Sequence, residues 1–355
     1  MRRTSIAIFV KNLTSGGAEK QAVLLAKALS QDYDVHFIVY NAAKVHQKYL
    51  DLINEVPEIH LFLNRGGYIH RFRALCSYMR RYGIGLVFSY LTAANLYACL
   101  AGRLTGAKVV CGLRNAELPV LKRAVDRFLT NHMAALTVAN CFSGKRNFVR
   151  QGFCERKIHV IPNCFEGIAP YKEKEEQKLT GIITVGRFVE QKDYLTAIRS
   201  VARAYQTCRD IRFCIIGFGK LEQQIRLWVK EEGIEDITEM LINPDDIPDY
   251  LDRADIYLST SLFEGTSNSI MEAMNANLPV IATDVGDNRY LVKDGVNGFM
   301  AEKKDVAALA DHIRTLAQDR NLRLRFGENS KNLLREKYSM DTFRDRYIEI
   351  IKELS

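Results

Sequence analysis

The chain has 355 residues, of which 47% are hydrophobic and 26% charged. This composition excludes a globally disordered chain and a collagen-like repeat, and the length fits two ordinary domains. The 8 cysteines form no Cys-x-x-Cys pair, so neither a structural zinc site nor a disulfide framework is indicated, as is typical of a reducing cytosol. The net charge of +8 is divided unevenly, with +13 on residues 1–170 and −5 on residues 171–355. The first half is therefore expected to attract an anionic partner.

The first half alternates short apolar runs with helical periodicity. Strands are predicted at 5–10, 35–40, 59–63, 86–89, 109–112 and 136–139, with helices such as 18–30 and 118–132 between them. This alternation predicts a parallel sheet covered on both faces. The uncharged stretch 83–102 is long enough for a bilayer span, but its polar residues favour a buried strand followed by a helix. The apolar run near the first residue is too short for a signal peptide, so neither a leader nor a membrane span is predicted.

The same pattern starts again near residue 180. Strands are predicted at 182–185, 213–216, 256–259 and 280–283, with helices at 194–205, 221–232, 269–276 and 305–317. The charged segment 166–178 is predicted to be a linker between an α/β domain at 1–165 and a second at 179–338. The last helical segment, 339–355, is expected to pack back toward the first domain. Ligands of such sheets bind beyond the carboxyl ends of the strands, so we expect the binding residues in the loops that follow the strands.

Two of these loops carry residues suited to an anion. Gly16 and Gly17 follow the first strand and precede a helix, where backbone N–H groups can approach a phosphate. Gly186 and Arg187 follow the strand at 182–185, and Lys192 comes five residues after Arg187, a spacing that could grip a diphosphate from two sides. A plain strand–helix turn and a solvated basic loop explain the same residues, and the spacing alone leaves both alternatives open.

The stretch 261–274, SLFEGTSNSIMEAM, is the most specific of the loops after strands. It opens a helix near Asn268 or Ser269, with Glu264 before the helix and Glu272 in its first turns. Two carboxylates thus flank a cradle of small residues, in which free N–H groups at the helix start could bind phosphate. The carboxylates could accept hydrogen bonds from sugar hydroxyls. A capping box of Ser269 and Glu272 is the purely structural alternative.

Several motifs occur together along the chain: SGGAEK at 15–20, VIPNCFE at 160–166, VGRFVEQKD at 185–193, IIGFGKLEQQI at 215–225 and a long block at 254–299. On these motifs the chain resembles, nearly end to end, the retaining nucleotide-sugar-dependent glycosyltransferases of family 4. The resemblance implies an α/β fold with two doubly wound, Rossmann-like domains facing a cleft, the architecture called GT-B. It also implies that the first domain binds the acceptor and the second domain binds the nucleotide-sugar donor.

The resemblance also implies roles for the matching residues. Arg187 and Lys192 would neutralise the leaving diphosphate, Glu272 would hold the ribose hydroxyls, and Glu264 would contact the transferred sugar. The implied catalytic residues are Glu264, Arg187 and Lys192. Arg114 and Asn115 are further catalytic candidates, at a position where the sequence departs from the family pattern. The implied donor-binding residues are Gly16, Gly17, Gly186, Gly265, Thr266, Ser267, Asn268, Ser269 and Glu272.

Two departures from the family pattern occur in this sequence. Many relatives carry a histidine at the end of the strand that matches 109–112, whereas this chain reads GLRNAE at 112–117. Arg114 or Asn115 would polarise the acceptor site in place of that histidine, and Glu117 is the nearest carboxylate. Asn277 stands where glycine is common after the helix that carries Glu272, and we interpret it as a variant C-cap.

The resemblance predicts transfer of a hexose or N-acetylhexosamine from a nucleoside-diphosphate sugar, UDP ahead of GDP, to a saccharide acceptor. A phosphate oxygen of the donor can take the acceptor's proton, so no dedicated base is required. Neither a cofactor nor a metal ion is expected, because the cations can stabilise the leaving phosphate and no Asp-x-Asp motif ends a strand. The expected setting is the cytoplasm, in the assembly of cell-surface polysaccharides or glycans.

The basic first half leads to a hypothesis about the acceptor. Residues 64–82 predict an amphipathic helix whose apolar side covers the sheet and whose arginines, Arg71, Arg73, Arg80 and Arg81, face outward. These arginines would contact a lipid-linked acceptor and the anionic surface of the membrane, on which the protein would be peripheral. Nucleic acid is not an expected partner, because no module that reads DNA or RNA occurs in the sequence.

Other classes of protein would explain parts of this sequence. A sugar-nucleotide epimerase of the same fold would act on the donor alone, without an acceptor. A basic nucleic-acid-binding protein would explain the charge of the first half but would leave the glycine, arginine and glutamate loops without a use. An NAD-dependent dehydrogenase is disfavoured because the glycines at 217 and 219 lack the third glycine of the dinucleotide fingerprint.

Overall fold

The computed structural model describes residues 4–14, 16–43, 45–114, 118–175 and 177–355. It divides the chain into a first unit, Met1–Glu166 with Tyr338–Ser355, and a second unit, Gly167–Lys337. Most of the segment predicted as a linker therefore belongs to the second unit. Several hydrogen bonds attach it there; for example, Lys174 Nζ donates to the Leu251 carbonyl at 3.0 Å, and Asn277 Nδ2 donates to the Lys172 carbonyl at 3.1 Å.

The described part of the first half of the chain alternates strands and helices. Its strands are β1 (Ser5–Val10), β2 (Asp34–Val39), β3 (Ile59–Leu63), β4 (Leu86–Tyr90), β5 (Lys108–Leu113), β6 (Leu136–Ala139) and β7 (Ile158–Val160). Its helices are α1 (Gly17–Leu29), α2 (Gln47–Asn54), α3 (Tyr68–Arg81), α4 (Thr92–Thr105), α5 (Val120–His132) and α6 (Phe142–Arg150). The strands form a parallel seven-stranded sheet in the order β3-β2-β1-β4-β5-β6-β7.

The second half repeats this plan. Its strands are β8 (Thr180–Val185), β9 (Ile211–Gly217), β10 (Thr238–Ile242), β11 (Ile256–Ser259), β12 (Val280–Thr283) and β13 (Gly298–Ala301). Its helices are α7 (Tyr194–Tyr205), α8 (Glu222–Glu231), α9 (Ile247–Arg253), α10 (Asn268–Asn275), α11 (Asn288–Leu291), α12 (Val306–Gln318) and α13 (Arg320–Tyr338), followed by α14 (Met340–Leu354). The strands form a parallel six-stranded sheet in the order β10-β9-β8-β11-β12-β13.

Both sheets are doubly wound, as the sequence predicts. In the first unit, α1, α2 and α14 cover one face of the sheet, where Leu24, Tyr49 and Phe343 join one apolar core. Helices α3, α4 and α5 cover the other face, where Leu75 and Ala98 join a separate core. The chain order reverses between β1 and β4 and again between β8 and β11. Ligands of doubly wound sheets bind beyond the strand ends at these reversals, so the fold itself marks two places to inspect.

The stretch 83–102 forms the buried strand β4 and most of α4. The prediction of a strand that leads into a helix is therefore confirmed. Across the described residues, we find no helix with both the length and the apolar character that crossing a bilayer requires.

Candidate active-site residues

In the second unit, the predicted donor residues gather at the carboxyl ends of β8 and β11. These two strands are neighbours in the sheet, and the chain order reverses between them. Phe188 is fully buried and its backbone N–H donates to the Phe218 carbonyl at 2.7 Å, which anchors the loop after β8. Arg187, beside this anchor, is exposed. The loop therefore combines a fixed backbone with an arginine that is accessible to an anion.

Lys192 and Glu264 form an ion pair, with Lys192 Nζ 2.6 Å from Glu264 Oε1. Only 18% of the Lys192 side chain and 9% of the Glu264 side chain are exposed, so most of the pair is shielded from water. Ser261 Oγ also donates to Glu264 Oε1, at 2.8 Å. The sequence predicted both residues at one site but did not predict that they pair with each other.

Hydrogen bonds also join the backbones of the two loops. The Leu262 N–H donates to the Gln191 carbonyl at 2.8 Å, and Gln191 Nε2 donates to the Phe263 carbonyl at 2.9 Å. Thr260 Oγ1 donates to the carbonyls of Lys192 and Asp193 at 3.0 and 2.9 Å. The positions of Lys192 and Glu264 are therefore coupled through the backbone as well as through their charges.

Helix α10 begins at Asn268, as predicted, but Ser267 is its N-cap. The Ser267 hydroxyl accepts from the Ile270 N–H at 3.5 Å, so the capping box of Ser269 and Glu272, the structural alternative, does not form the cap. Helix N-termini favour anions, and Gly265, Thr266 and Ser269 next to this one are all partly accessible. The structural alternative, in which Ser269 and Glu272 cap the helix, is therefore not what the structure shows.

Tyr257 shows that the two glutamates lie near one point. Its ring is buried within β11, and its hydroxyl donates to the Val185 carbonyl at 3.2 Å. Burial raises the pKa of this hydroxyl well above its usual value. The carboxylates of Glu272 and Glu264 add to this increase of the pKa, and a hydrogen bond from Ser269 opposes it. Both glutamates therefore act electrostatically on the same hydroxyl below the site.

Gly286 is a site residue that sequence reasoning missed. It has a positive φ of +57°, and a Cβ atom added there would lie 1.9 Å from the Glu264 carbonyl oxygen. The loop after β12 can therefore approach Glu264 only because residue 286 has no side chain. The sequence signal is the glycine in ATDVG at 282–286, directly after a strand.

In the first unit, Gly16 and Gly17 lie where α1 begins. Gly16 is the N-cap of α1, and its carbonyl accepts from the Tyr49 hydroxyl at 3.2 Å. A Cβ atom at Gly16 would lie 2.3 Å from a carboxylate oxygen of Glu19, whereas one at Gly17 would meet no atom of the described residues within 4 Å. The space beside Gly17 is open to a ligand.

A cavity of about 320 Å³ lies at the carboxyl ends of β1, β4 and β5. Arg114 lines it and is 9% exposed. One terminal nitrogen of its guanidinium donates to the Tyr347 hydroxyl at 2.8 Å, and the guanidinium lies 4.3 Å from the centre of the Tyr90 ring. Its Nε and its other terminal nitrogen have no hydrogen-bond partner among the described residues. Asn115 and Glu117, the other candidates from this stretch, lie outside the described residues.

A buried polar network that sequence reasoning missed lines the same cavity. Asp126 accepts from Thr92 Oγ1 at 2.6 Å and from Asn95 Nδ2 at 2.9 Å, and burial raises the pKa of its carboxyl group. Leu91, directly before α4, has a φ of +73°. Such a backbone conformation is costly for a residue with a side chain and is found mostly at functional sites. In the sequence, the polar residues within the stretch 83–102 were a sign of this network.

The arginines of α3 do not form one exposed face. Arg71 is buried, with its guanidinium 5.3 Å from the centre of the Tyr40 ring. The prediction that Arg71 faces outward with the others is wrong, because it lies on the apolar side of α3. Arg73, Arg80 and Arg81 are exposed.

The described residues contain no group of three or more His, Cys, Asp and Glu side chains placed to hold a metal ion. The charged groups at the candidate donor site are instead a lysine, an arginine and two glutamates. This set suits hydrogen bonds to sugar hydroxyls and charge pairing with phosphate.

Two parallel, doubly wound sheets with polar loops beyond their carboxyl ends are the plan of a glycosyltransferase of GT-B fold. The family model "Glycosyltransferase Family 4" matches residues 15–166, and the model "Glycosyl transferases group 1" matches residues 168–333. The chain therefore belongs to glycosyltransferase family 4.

The chain is also similar to individual proteins of known activity. It is 26% identical over 351 residues to the N-acetylgalactosamine-N,N'-diacetylbacillosaminyl-diphospho-undecaprenol 4-alpha-N-acetylgalactosaminyltransferase of Campylobacter jejuni, covering 92% of this chain and 93% of that protein. It is 22% identical over 360 residues to a second alpha-1,4-N-acetyl-D-galactosaminyltransferase of that organism, which acts on a diphospho-undecaprenol-linked saccharide, with 98% of each chain covered. The crystal structure of Anabaena Alr3699/HepE in complex with UDP shares the fold, with a TM-score of 0.81, 18% identity and coverage of 99% of this chain and 100% of that chain.

Proposed function

We propose that this glycosyltransferase moves a hexose or N-acetylhexosamine from a UDP-sugar to a saccharide carried on a lipid, with retention of anomeric configuration. The observation that carries the proposal is the Lys192–Glu264 pair at the carboxyl ends of β8 and β11. A cation and a carboxylate held 2.6 Å apart offer adjacent partners for a phosphate and for a sugar hydroxyl. These are the two groups that a nucleotide sugar joins.

The remaining donor contacts follow from the loops around this pair. The diphosphate lies against Arg187, Lys192 and the first N–H groups of α10, where the helix dipole favours negative charge. Glu272 accepts hydrogen bonds from the ribose hydroxyls, and Glu264 accepts from a hydroxyl of the transferred sugar. In the first unit, Gly17 has open space beside it among the described residues, which a phosphate could occupy.

In the proposed reaction, the bond between the anomeric carbon and the β-phosphate oxygen breaks, and both electrons of that bond stay on the phosphate. The acceptor hydroxyl oxygen forms its new bond on the face that the phosphate leaves, so the configuration is retained. The hydroxyl proton passes to a phosphate oxygen, and UDP leaves. Arg187 and Lys192 stabilise the charge that develops on the phosphate, which is usually the largest contribution to such catalysis.

The cavity of the first unit is assigned to the acceptor. Its lining combines donors and acceptors of hydrogen bonds, Arg114, Lys122 and Asp126 among them, as a saccharide requires. A lipid-linked acceptor is supported by the two Campylobacter relatives, both of which are named for diphospho-undecaprenol-linked substrates. A UDP-sugar donor is supported by the UDP complex of the structural neighbour.

Thermal unfolding in the presence of a panel of UDP- and GDP-sugars tests the donor. A bound donor stabilises the native state, and at a ligand concentration of about 100 Kd the stabilisation is about 2.7 kcal/mol. We expect UDP-sugars to raise the melting temperature and GDP-sugars to leave it unchanged. A GDP-sugar that stabilises the protein more than every UDP-sugar would contradict the assignment of the base.

Incubation of the stabilising donor with an undecaprenyl-diphosphate-linked saccharide tests the reaction. NMR of the product should show the same anomeric configuration as the donor, and inversion would contradict the mechanism. Activity should persist in EDTA, because Arg187 and Lys192 supply the charge that a divalent cation supplies elsewhere. Conversion of the donor to an isomer in the absence of acceptor would identify an epimerase instead.

A further inference from the structure

The most exposed large apolar side chains among the described residues lie at the beginnings of α3 and α5. Tyr68 and Ile69 are 73% and 78% exposed, and Val120 and Leu121 are 72% and 78% exposed. Single exposed apolar residues are common, but adjacent pairs of large ones that are almost fully accessible mark a surface that contacts something else. We call these four residues the apolar rim.

The fold brings both halves of the apolar rim to one edge of the first unit. Helices α3, α4 and α5 form one layer on the sheet, with α4 packed against both of the others. Each helix follows a parallel strand and therefore begins at the carboxyl edge of the sheet. Neighbouring helices pack at 8–10 Å, so the two halves of the rim are about 20 Å apart, one on each side of α4.

The assigned acceptor cavity opens at the same edge. Thr92 and Ala93, from the first turn of α4, line it, and so does Lys122, the residue that follows the rim residue Leu121. A surface that contacts the apolar rim is therefore also next to the entrance of this cavity.

The charges around the apolar rim favour an anionic partner. Helices α3, α4 and α5 contain eight Lys and Arg residues and one acidic residue, Asp126, which is buried. Arg73 lies one turn after Ile69 on the same side of α3, and it is exposed, as are Arg65 and Lys122. Exposed apolar side chains beside cations are the pattern by which proteins bind anionic lipid surfaces.

We infer that Tyr68, Ile69, Val120 and Leu121 dock the first unit on an anionic lipid bilayer and so bring the cavity to its lipid-linked acceptor. This inference rests on the proposed function for the identity of the acceptor. A bilayer fits the surface better than a protein partner, because the two apolar pairs are separate tips flanked by cations, and a tyrosine at such a tip suits the interface between headgroups and acyl chains.

Sedimentation of the full-length protein with phosphatidylcholine vesicles, with and without phosphatidylglycerol, tests the inference. We expect binding to the anionic vesicles that weakens as salt is added, because exposed charges are screened. The double variant Ile69→Ser, Leu121→Ser should bind at least about tenfold more weakly, since it loses two large apolar contacts with the bilayer. Leu227→Ser is the matched control, because Leu227 is an exposed leucine on α8 of the second unit, and this variant should bind like the wild type.

Three results would overturn the inference: equal binding of the double variant and the wild type, equal binding to neutral and anionic vesicles, or no binding at all. Light scattering without lipid adds a further check, because a dimer that the double variant abolishes would identify a second copy as the partner. UDP-dependent thermal stabilisation, measured on the same samples, reports folding and separates the two proposals. If the protein binds vesicles but no nucleotide sugar, the inference about the apolar rim stands and the proposed function is contradicted. If it binds a nucleotide sugar but no vesicles, the proposed function stands and the inference is contradicted.

Discussion

Replacement of Glu264 by glutamine is expected to strengthen the binding of UDP while it slows sugar transfer. In the protein without donor, the Glu264 carboxylate is paired with Lys192 Nζ at 2.6 Å. An incoming diphosphate must compete with this carboxylate for the lysine and is repelled by its charge. Glutamine keeps an oxygen that can accept from Ser261 but has no charge, so Lys192 becomes available to the diphosphate.

The size of the effect follows from the burial of the pair. Two unit charges 4 Å apart attract by about 1 kcal/mol in water and about 4 kcal/mol at an effective dielectric constant of 20. Desolvation offsets much of this attraction for the Lys192–Glu264 pair, which is mostly shielded from water. A net coupling of about 1–2 kcal/mol remains, within the range measured for residues in contact. UDP should therefore bind about 5- to 30-fold more tightly to Glu264→Gln.

Isothermal titration calorimetry with UDP measures the affinity, and turnover of the sugar nucleotide measures the second effect. Loss of a group that contacts the reacting sugar should reduce turnover roughly 100-fold. Glu232→Gln is the matched control, because Glu232 pairs with Arg199 at 2.9 Å on the outer helices of the same unit, and UDP affinity should not change. Weaker binding of UDP by Glu264→Gln than by the wild type would refute the competition between carboxylate and diphosphate.

Three further substitutions test other parts of the structure. Gly286→Ala should lower turnover, because its Cβ atom would displace the Glu264 backbone, and turnover equal to the wild type would exclude that contact. Tyr347→Phe should lower turnover with an unchanged UDP affinity, because it releases Arg114 but leaves the second unit intact; an equal loss of UDP affinity would contradict this division of roles. Lys331 is fully buried, and burial lowers its pKa to about 8 from 10.5. Between these two pH values the unfolded chain binds more protons than the folded protein, so the stability of the wild type should rise with pH. The rise should be smaller in Lys331→Met. Urea unfolding followed by the fluorescence of the single tryptophan, Trp228, measures this stability.

The sequence predicts the central strands and one of the four edge strands, β3, but misses the other three edge strands. β4, β8 and β11 are buried along their whole length. Their sequences are therefore continuous apolar runs, and all three strands were predicted. The strands missed, β7, β10 and β13, all lie at the edge of a sheet and are partly exposed. An edge strand has neighbours on one side only, and its apolar pattern is correspondingly weak.

Within the candidate site, residues next to strand ends were predictable, and contacts between loops were not. The position of Arg187 and Lys192 after β8 follows from the alternation of strands and helices. The close approach of Gly286 to Glu264 depends on the neighbouring strand β12 and has no signal within the loop that carries Glu264. Arg71 could have been assigned correctly, since it lies four residues before Leu75 and eight before Met79, on the buried side of α3.

Arg114, one of the predicted site residues, has surroundings that are unusual for an arginine with a purely structural role. A buried guanidinium is costly unless its N–H groups are hydrogen-bonded, and an arginine with a purely structural role would have them satisfied. Tyr347 of α14 binds one terminal nitrogen and the Tyr90 ring lies against the guanidinium, which together fix its orientation. The remaining N–H groups have no partner among the described residues and belong to a side chain that lines the cavity. We propose that an acceptor rich in oxygen atoms satisfies them, in which case Tyr347 of the C-terminal helix positions a binding group.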